Sequence, residues 1–330
     1  MVGRIERLPQ GLNAAERHLL DFDKAELRGD IAGRLRAQQA QVALDSSAVA
    51  LLLVGVAATQ LLRPDLAVPA LEQSGPAYLL IGGTSARGQT TALAEAYHQA
   101  GRHDRELRTL VAQRALYSEY PDVARFRGRL LRAYAAQGRD AAALALADTM
   151  LRGGSDSSGV VLAGVPPGAQ EFRAHGRAAA ASQLLALART WVAAHPARAP
   201  SPDRQLWEGI VLLASGLPDS AGVRFASVAR DSSRLDAAGY LALAQVARGD
   251  GARARAAADS LGALPRRWLF GAQTFWRAAI VGTLGDRDMA VQLLQQANRE
   301  GHTMAAWHYH AALEALHGYA PFEALVRPRR

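Results

Sequence analysis

Residues Arg125 to Met150 read RFRGRLLRAYAAQGRDAAALALADTM, and the architecture follows from this stretch. Phe126, Leu130, Ala133 and Tyr134 recur at i, i+4, i+7 and i+8, which draws one apolar stripe along a helix. Gly138 stops that helix by supplying the left-handed residue that a helix C-terminus favours. Asp140 opens a second helix, where a carboxylate suits the positive end of the macrodipole. Its apolar face is Ala143, Ala147, Met150 and Leu151. A linker this short forces the two helices antiparallel, and the alanines let them approach closely. The pair cannot bury both of its apolar faces alone, so it requires neighbours of the same kind.

The neighbours can be found with a ruler made of the stopping glycine and the residue five places later. It lands on Gly101 with Glu106, Gly138 with Ala143, Gly176 with Ala181, Gly216 with Ala221, Gly249 with Ala254 and Gly285 with Ala290. Two weaker marks precede these, Gly29 with Arg34 and Leu62 with Ala67, the latter turning at Arg63-Pro64. Successive marks lie 33, 39, 37, 38, 40, 33 and 36 residues apart. A period in the thirties built of helix–turn–helix units is the signature of a solenoid. Scarce β-branched runs and aromatics at 6% agree with an all-α chain.

The units resemble tetratricopeptide repeats, whose first helix carries set large, small and aromatic places and whose second carries Ala then Phe. Ala94-x2-Tyr97, Leu131-x2-Tyr134 and Gly209-x2-Leu212 occupy first-helix places. Ala221-x3-Phe225, Ala181-x3-Leu185 and Ala290-x3-Leu294 occupy the second-helix places. The Trp of the fourth place and most closing prolines are missing. The resemblance implies a right-handed superhelical solenoid of about eight repeats over residues 13–300, after an arm at 1–12 and before a capping segment at 301–330. The ends are similar to something narrower. LNAAERHLLDFDKAELRGD from Leu12, FGAQTFWRAAIVGTLGDRDMAVQLLQQANREG from Phe270 and HGYAPFEALVRP from His317 resemble one bacterial group. It is the C-terminal repeat region of tetratricopeptide proteins that often carry a Ser/Thr kinase or winged-helix DNA-binding domain upstream. None of the kinase motifs is present: no Gly-rich loop with V-A-I-K, no H-R-D and no D-F-G.

Charge and composition narrow the function classes. A net charge of +8 invites a nucleic-acid reading, but Lys24 is the only lysine among 38 basic residues. The arginines are spread along the chain among acids, as in Arg102-His103-Asp104-Arg105-Glu106, and no basic block interleaves with aromatics. Zero cysteines exclude disulfides and thiolate chemistry. MVGRIERLPQ has no apolar core of a signal peptide, so a cytoplasmic location is the expectation. The apolar run from Ala48 to Leu62 is too short to span a membrane and reads as a buried first helix capped by Ser46 or Ser47.

Three candidate sites stand out. Residues 74–86 break the helical pattern after a helix at 65–73, and Gly83 to Thr90 reads G-x4-G-Q-T. That is one residue from a phosphate-binding loop, with neutral Gln89 in place of the lysine that would meet the phosphates. An inter-repeat loop is the expectation there, with no cofactor; a nucleotide site is the alternative. The tail crowds His302, His308, His310 and His317. On a helix the His308-x-His310 pair would diverge, so packing on Trp307 is expected and not metal binding. The third site follows from the resemblance, which places the concave face on first-helix residues. These are Glu95, His98, Arg125, Arg132, Gln170 and Arg173, then Leu206, Ile210, Leu213, Leu243 and Phe275. The expectation is a groove, arginine-lined midway and apolar beyond, for an extended or helical peptide with an acidic end. With no catalytic constellation, a non-enzymatic scaffold or sensor module is the first reading. The repeat domain of a transcriptional regulator or Ser/Thr kinase system is the second.

Overall fold

A computed structural model describes residues 12–81, 83–114, 123–153, 159–196, 200–231, 233–265 and 268–329. Most of the arm expected at 1–12 lies outside the described residues. Among those described are seventeen α-helices and no strand. The first sixteen pair into eight antiparallel hairpins. They are α1 Ala14–Arg28 with α2 Ile31–Leu44, α3 Ala48–Gln60 with α4 Pro64–Ile81, α5 Gly83–Gln99 with α6 His103–Ala112, and α7 Val123–Ala136 with α8 Asp140–Arg152. There follow α9 Val165–Ala174 with α10 Ala178–Ala194, α11 Pro202–Ala214 with α12 Pro218–Val228, α13 Leu235–Ala247 with α14 Gly251–Gly262, and α15 Ala272–Thr283 with α16 Arg287–Arg299. A last helix, α17, spans Ala320–Val326. No helix among the described residues is long and apolar enough to cross a membrane.

One turn is used eight times. Gly29, Gly101, Gly138, Gly176, Gly216, Gly249 and Gly285 have φ between 68° and 105°, and Leu62 takes φ 55° at the eighth position. In each turn this residue's N–H bonds the carbonyl three back, and the next N–H bonds the carbonyl five back. At the quoted stretch these bonds are Gly138 N to Ala135 O at 3.1 Å and Arg139 N to Tyr134 O at 3.0 Å. This is the Schellman arrangement, and it satisfies carbonyls that a helix end leaves open. In every turn but the first, where it is Arg34, the residue five places on is buried: Ala67, Ala143, Ala221, Ala254 and Ala290 are each 0% exposed. Gly101 has open space where a Cβ would stand, so Gly101→Ala should cost only the left-handed backbone, about 1 kcal/mol. Gly88 has equal room inside a helix, so Gly88→Ala should stabilise by about 0.5–1 kcal/mol. Urea midpoints moving in the same direction for both variants would contradict this account of the turn.

The break expected over residues 74–86 does not occur. Helix α4 runs through Pro69 and Pro76 to Ile81, and α5 starts at Gly83. Both prolines are exposed and stand two turns apart, so the carbonyls they leave without an N–H donor lie on the solvent side. The opposite face buries Ala67, Val68, Leu71, Ser74 and Tyr78. Gly83 to Thr90 is therefore neither a loop nor a phosphate cradle but the first turns of a helix. Gln89, at the place of the phosphate-binding lysine, is 2% exposed and donates from Nε2 to Leu71 O at 2.7 Å.

Stacking of the hairpins carries the chain around until its ends meet. A Cβ on Gly29 would stand 2.7 Å from Glu300 O and 3.2 Å from Gly301 Cα, so only glycine fits that approach. Met304 N donates to Gln60 O at 3.0 Å, and Arg329 N donates to Leu62 O at 2.9 Å. Leu62 belongs to the same apolar cluster as Met304, Trp307, Leu313 and Phe322. The solenoid is thus a closed ring. After Gly301 the chain crosses its interior in two 3₁₀ turns, Trp307–Tyr309 and Ala311–Leu316, before α17 packs on the seam.

Candidate functional site

Counting back from each turn residue aligns the first helices. Glu95, Arg132, Gln170, Ile210 and Leu243 each lie six places before their turn, and His98, Arg173 and Leu213 lie three before. These are the residues expected on the concave face, and their first helices do face the ring interior. The expected open groove, however, is filled by the chain's own residues 302–317. Glu314 accepts Arg173 Nη1 at 2.6 Å and Gln170 Nε2 at 3.0 Å. Tyr309 lies under the Arg132 guanidinium at 4.3 Å and donates its hydroxyl to Glu95 Oε2 at 3.4 Å. In the apolar sector His310 packs on Tyr240, Phe275 and Trp276, while Leu206, Ile210 and Leu243 are buried in the core beneath. Leu213 is partly buried against that core, and Arg125 is exposed at the edge of the interior.

A network of buried charges occupies the centre. Arg132, 3% exposed, bonds Glu95 Oε2 at 2.7 Å and stands 3.5 Å from Glu106 Oε1. Glu106 Oε2 accepts from His98 Nδ1 at 2.9 Å and from His103 Nδ1 at 3.2 Å. The far side of the His98 ring meets His308 Nε2 at 3.1 Å and Glu171 Oε2 at 3.4 Å. Glu171 Oε1 is held in turn by His175 Nε2 at 3.0 Å. Burial and the Arg132 charge oppose a proton on His98, but Glu106 and Glu171 outweigh both and raise its pKa to about 9. Burial favours a neutral Glu106, yet His98, His103 and Arg132 hold it down at about 2. Burial acts the same way on Glu171, whose bonds to His175 and His98 keep it far below the usual carboxylate range. His308 is pushed well below an ordinary imidazole by burial and then by the His98 and Arg132 charges. A protonated His98 therefore donates to a neutral His308.

The tail histidines divide their work. His308 and His310 point to different partners and form no chelating pair, and Glu314 serves Arg173 and not His310. His302 stacks on Phe275 at 4.4 Å and accepts Trp307 Nε1 at 3.1 Å, and burial lowers its pKa to about 4. Its folded pKa lies below the unfolded value of 6.5, so its contribution is fully present above pH 6.5. It is lost as pH falls toward 4, by roughly 3 kcal/mol from this group. His302→Asn keeps an acceptor for Trp307 and should flatten the decline in unfolding free energy between pH 6.5 and 4. An unchanged slope would contradict the assignment.

Comparison with known proteins adds little beyond the fold. No family model matches the sequence, and no curated protein does. A crystal structure of a tetratricopeptide repeat protein from Parabacteroides merdae is similar at 12% identity, covering 91% of this chain and 99% of that one, with a TM-score of 0.37. The crystal structure of the pentatricopeptide repeat protein PPR10 from maize is similar at 20% identity over 98% of this chain, with a TM-score of 0.32; this chain covers 46% of it. Neither superposition is close, so the repeat is identified by its own geometry. Eight hairpins share one Schellman turn, and six of them bury an alanine five places beyond it, with first helices turned to the interior. The chain is an all-α solenoid of helical hairpins. Sequence reasoning names Glu95, His98 and Arg132 of this network but not Glu106, Glu171, His103 and His175, which complete it. A signal existed in the repeat alignment, where Glu106 stands at the place of Ala67, Ala143, Ala181, Ala221, Ala254 and Ala290. Glu171, five places before its turn, stands where other units carry Ala57, Ala96, Ala133, Val211, Ala244 and Ile280.

Proposed function

We propose that this solenoid is a non-catalytic scaffold that holds a peptide with an acidic end on its inner face. The observation that carries the reading is the way the chain treats its own residues 302–317: a segment without α-helix, laid across the first helices, with its carboxylate gripped by an arginine and an amide. A cavity of about 480 Å³ remains beside that segment, lined in part by Glu95, Arg125, Arg129, Arg132, Trp207 and Tyr309. Three guanidinium groups against one carboxylate favour an anionic guest, and arginine forks suit a carboxylate. Arg132 Nε and Glu95 Oε1 are buried without a hydrogen-bond partner among the described residues. In the bacterial signalling setting that the resemblance implies, such a scaffold is the docking part of a kinase or regulator system.

Trp207 lines the cavity, so its fluorescence reports occupancy. Short peptides ending in Asp-Glu with a free carboxylate should quench or shift it, and the same peptides ending in Arg-Arg should not. Arg129→Glu should weaken the acidic peptides at least tenfold, about 1.4 kcal/mol. Equal affinity for both peptide sets, or no loss in the variant, would remove the reading. Binding of single-stranded RNA with a steep salt slope, in the absence of peptide binding, would reassign the cavity to phosphate.

A further inference from the structure

Two buried carboxylates occupy core places that alanine or an aliphatic residue fills in six of the other seven repeats, and both converge on one imidazole. Glu106 is 0% exposed and Glu171 4%, and a carboxylate at such depth is costly unless opposite charge meets it. They hold His98 from its two sides, Glu106 at Nδ1 and Glu171 at Nε2. The ring interior brings in a second imidazole, His308, from the crossing segment. We propose that His98 Nε2, His308 Nε2 and a Glu171 oxygen form a site for a borderline divalent cation of the zinc type, which fastens residues 302–317 to the inside of the ring.

The distances carry the proposal. Ligand atoms about 2.0–2.1 Å from a tetrahedral zinc ion stand roughly 3.3 Å from one another. His98 Nε2 lies 3.1 Å from His308 Nε2 and 3.4 Å from Glu171 Oε2. All three ligand atoms fall within 4.8 Å of one another. Outside the ligands the chain supplies the support that metal sites require. Glu106 accepts the His98 Nδ1 proton and fixes the tautomer that leaves Nε2 for a metal, and His175 orients the Glu171 carboxylate. Two nitrogens with one carboxylate suit zinc and its neighbours better than calcium or magnesium, which take oxygen. Charge agrees as well. Glu95, Glu106 and Glu171 contribute three negative charges at the centre, and Arg132 balances one. A divalent ion that displaces the proton of His98 balances the other two. His308 is only partly buried, which leaves a route for entry.

The test uses the full chain stripped with a chelator and titrated with Zn²⁺ or Co²⁺ alone. One equivalent of Co²⁺ should give the visible absorption of a tetrahedral site, and Zn²⁺ should compete it away. Zn²⁺ should also raise the melting temperature in a concentration-dependent way. His308→Ala lies on the crossing segment and spares every repeat, and Glu171→Gln keeps shape while losing the ligand charge. Each should weaken Zn²⁺ at least tenfold, whereas His195→Gln, in the connector after α10, should bind as the unaltered chain does. Circular dichroism identifies a variant that has failed to fold, and the remaining variant then decides. No stoichiometric Co²⁺ or Zn²⁺ binding near neutral pH, or equal affinity in all three variants, would overturn the proposal.

Discussion

Replacing Arg132 by methionine should destabilise the ring by about 3–5 kcal/mol, one of the largest single effects in the protein. The side chain is 3% exposed and its guanidinium is shared among Glu95, Glu106 and the Tyr309 ring. Methionine fills the volume but leaves Glu95 with one long bond from Tyr309 and no cation in contact. Glu106 fares better, because His98 and His103 still donate to it. The penalty is therefore mainly that of an uncompensated Glu95, and removing both partners should recover most of it. The double variant Arg132→Met, Glu95→Met is expected within about 1–2 kcal/mol of the unaltered chain, since apolar replacement of a buried pair is often neutral. The exposed pair Arg108–Asp104 sets the contrast. Its 2.7 Å contact joins side chains 72% and 65% exposed, and Arg108→Ala should cost well under 1 kcal/mol. Urea unfolding of the four proteins checks the ranking; equal costs for Arg132→Met and Arg108→Ala would mean the centre is as wet as the surface.

The second large effect is expected at Trp307, 1% exposed at the start of the crossing segment. Trp307→Ala should cost about 3–5 kcal/mol from lost burial and the cavity left behind. It also takes away the indole that donates to His302 and packs near Phe275, so the segment should loosen from the ring. Limited proteolysis should then cut within residues 302–317 of the variant while α7 to α16 stay intact. Cleavage spread evenly over the repeats would show instead that the segment and the solenoid fold as one unit.

The contrast between what was legible in the sequence and what was not has a physical reason. Helical hairpins are local: apolar spacing and a left-handed residue decide them within about 35 residues, and every mark in the alignment became a turn. Even Leu62, without a glycine, takes the left-handed conformation because Arg63-Pro64 and the repeat on either side demand it. The break assigned to residues 74–86 failed because local proline signals were weighed without the buried face formed by Leu71, Ser74 and Tyr78. Closure of the ring depends on small rotations summed over eight hairpins, and no single residue encodes that sum. The meeting of His98 with His308 spans 210 residues of sequence, so the occupant of the inner face could not be read from either neighbourhood. The departures at Glu106 and Glu171 were readable, since each puts a carboxylate where six other units carry alanine or an aliphatic residue.

Closure of the ring on its own C-terminal segment is the claim everything else depends on, and the absence of cysteine makes it directly measurable. Nitroxide labels on cysteines placed at Glu26 and Gln295, both exposed, flank the seam where Gly29 meets Gly301. Chain geometry puts the two labelled Cα atoms within about 20 Å of each other in the closed ring. Double electron–electron resonance should return one short, narrow distance distribution. A long or broad distribution, as from an open superhelix with separated ends, would contradict the account.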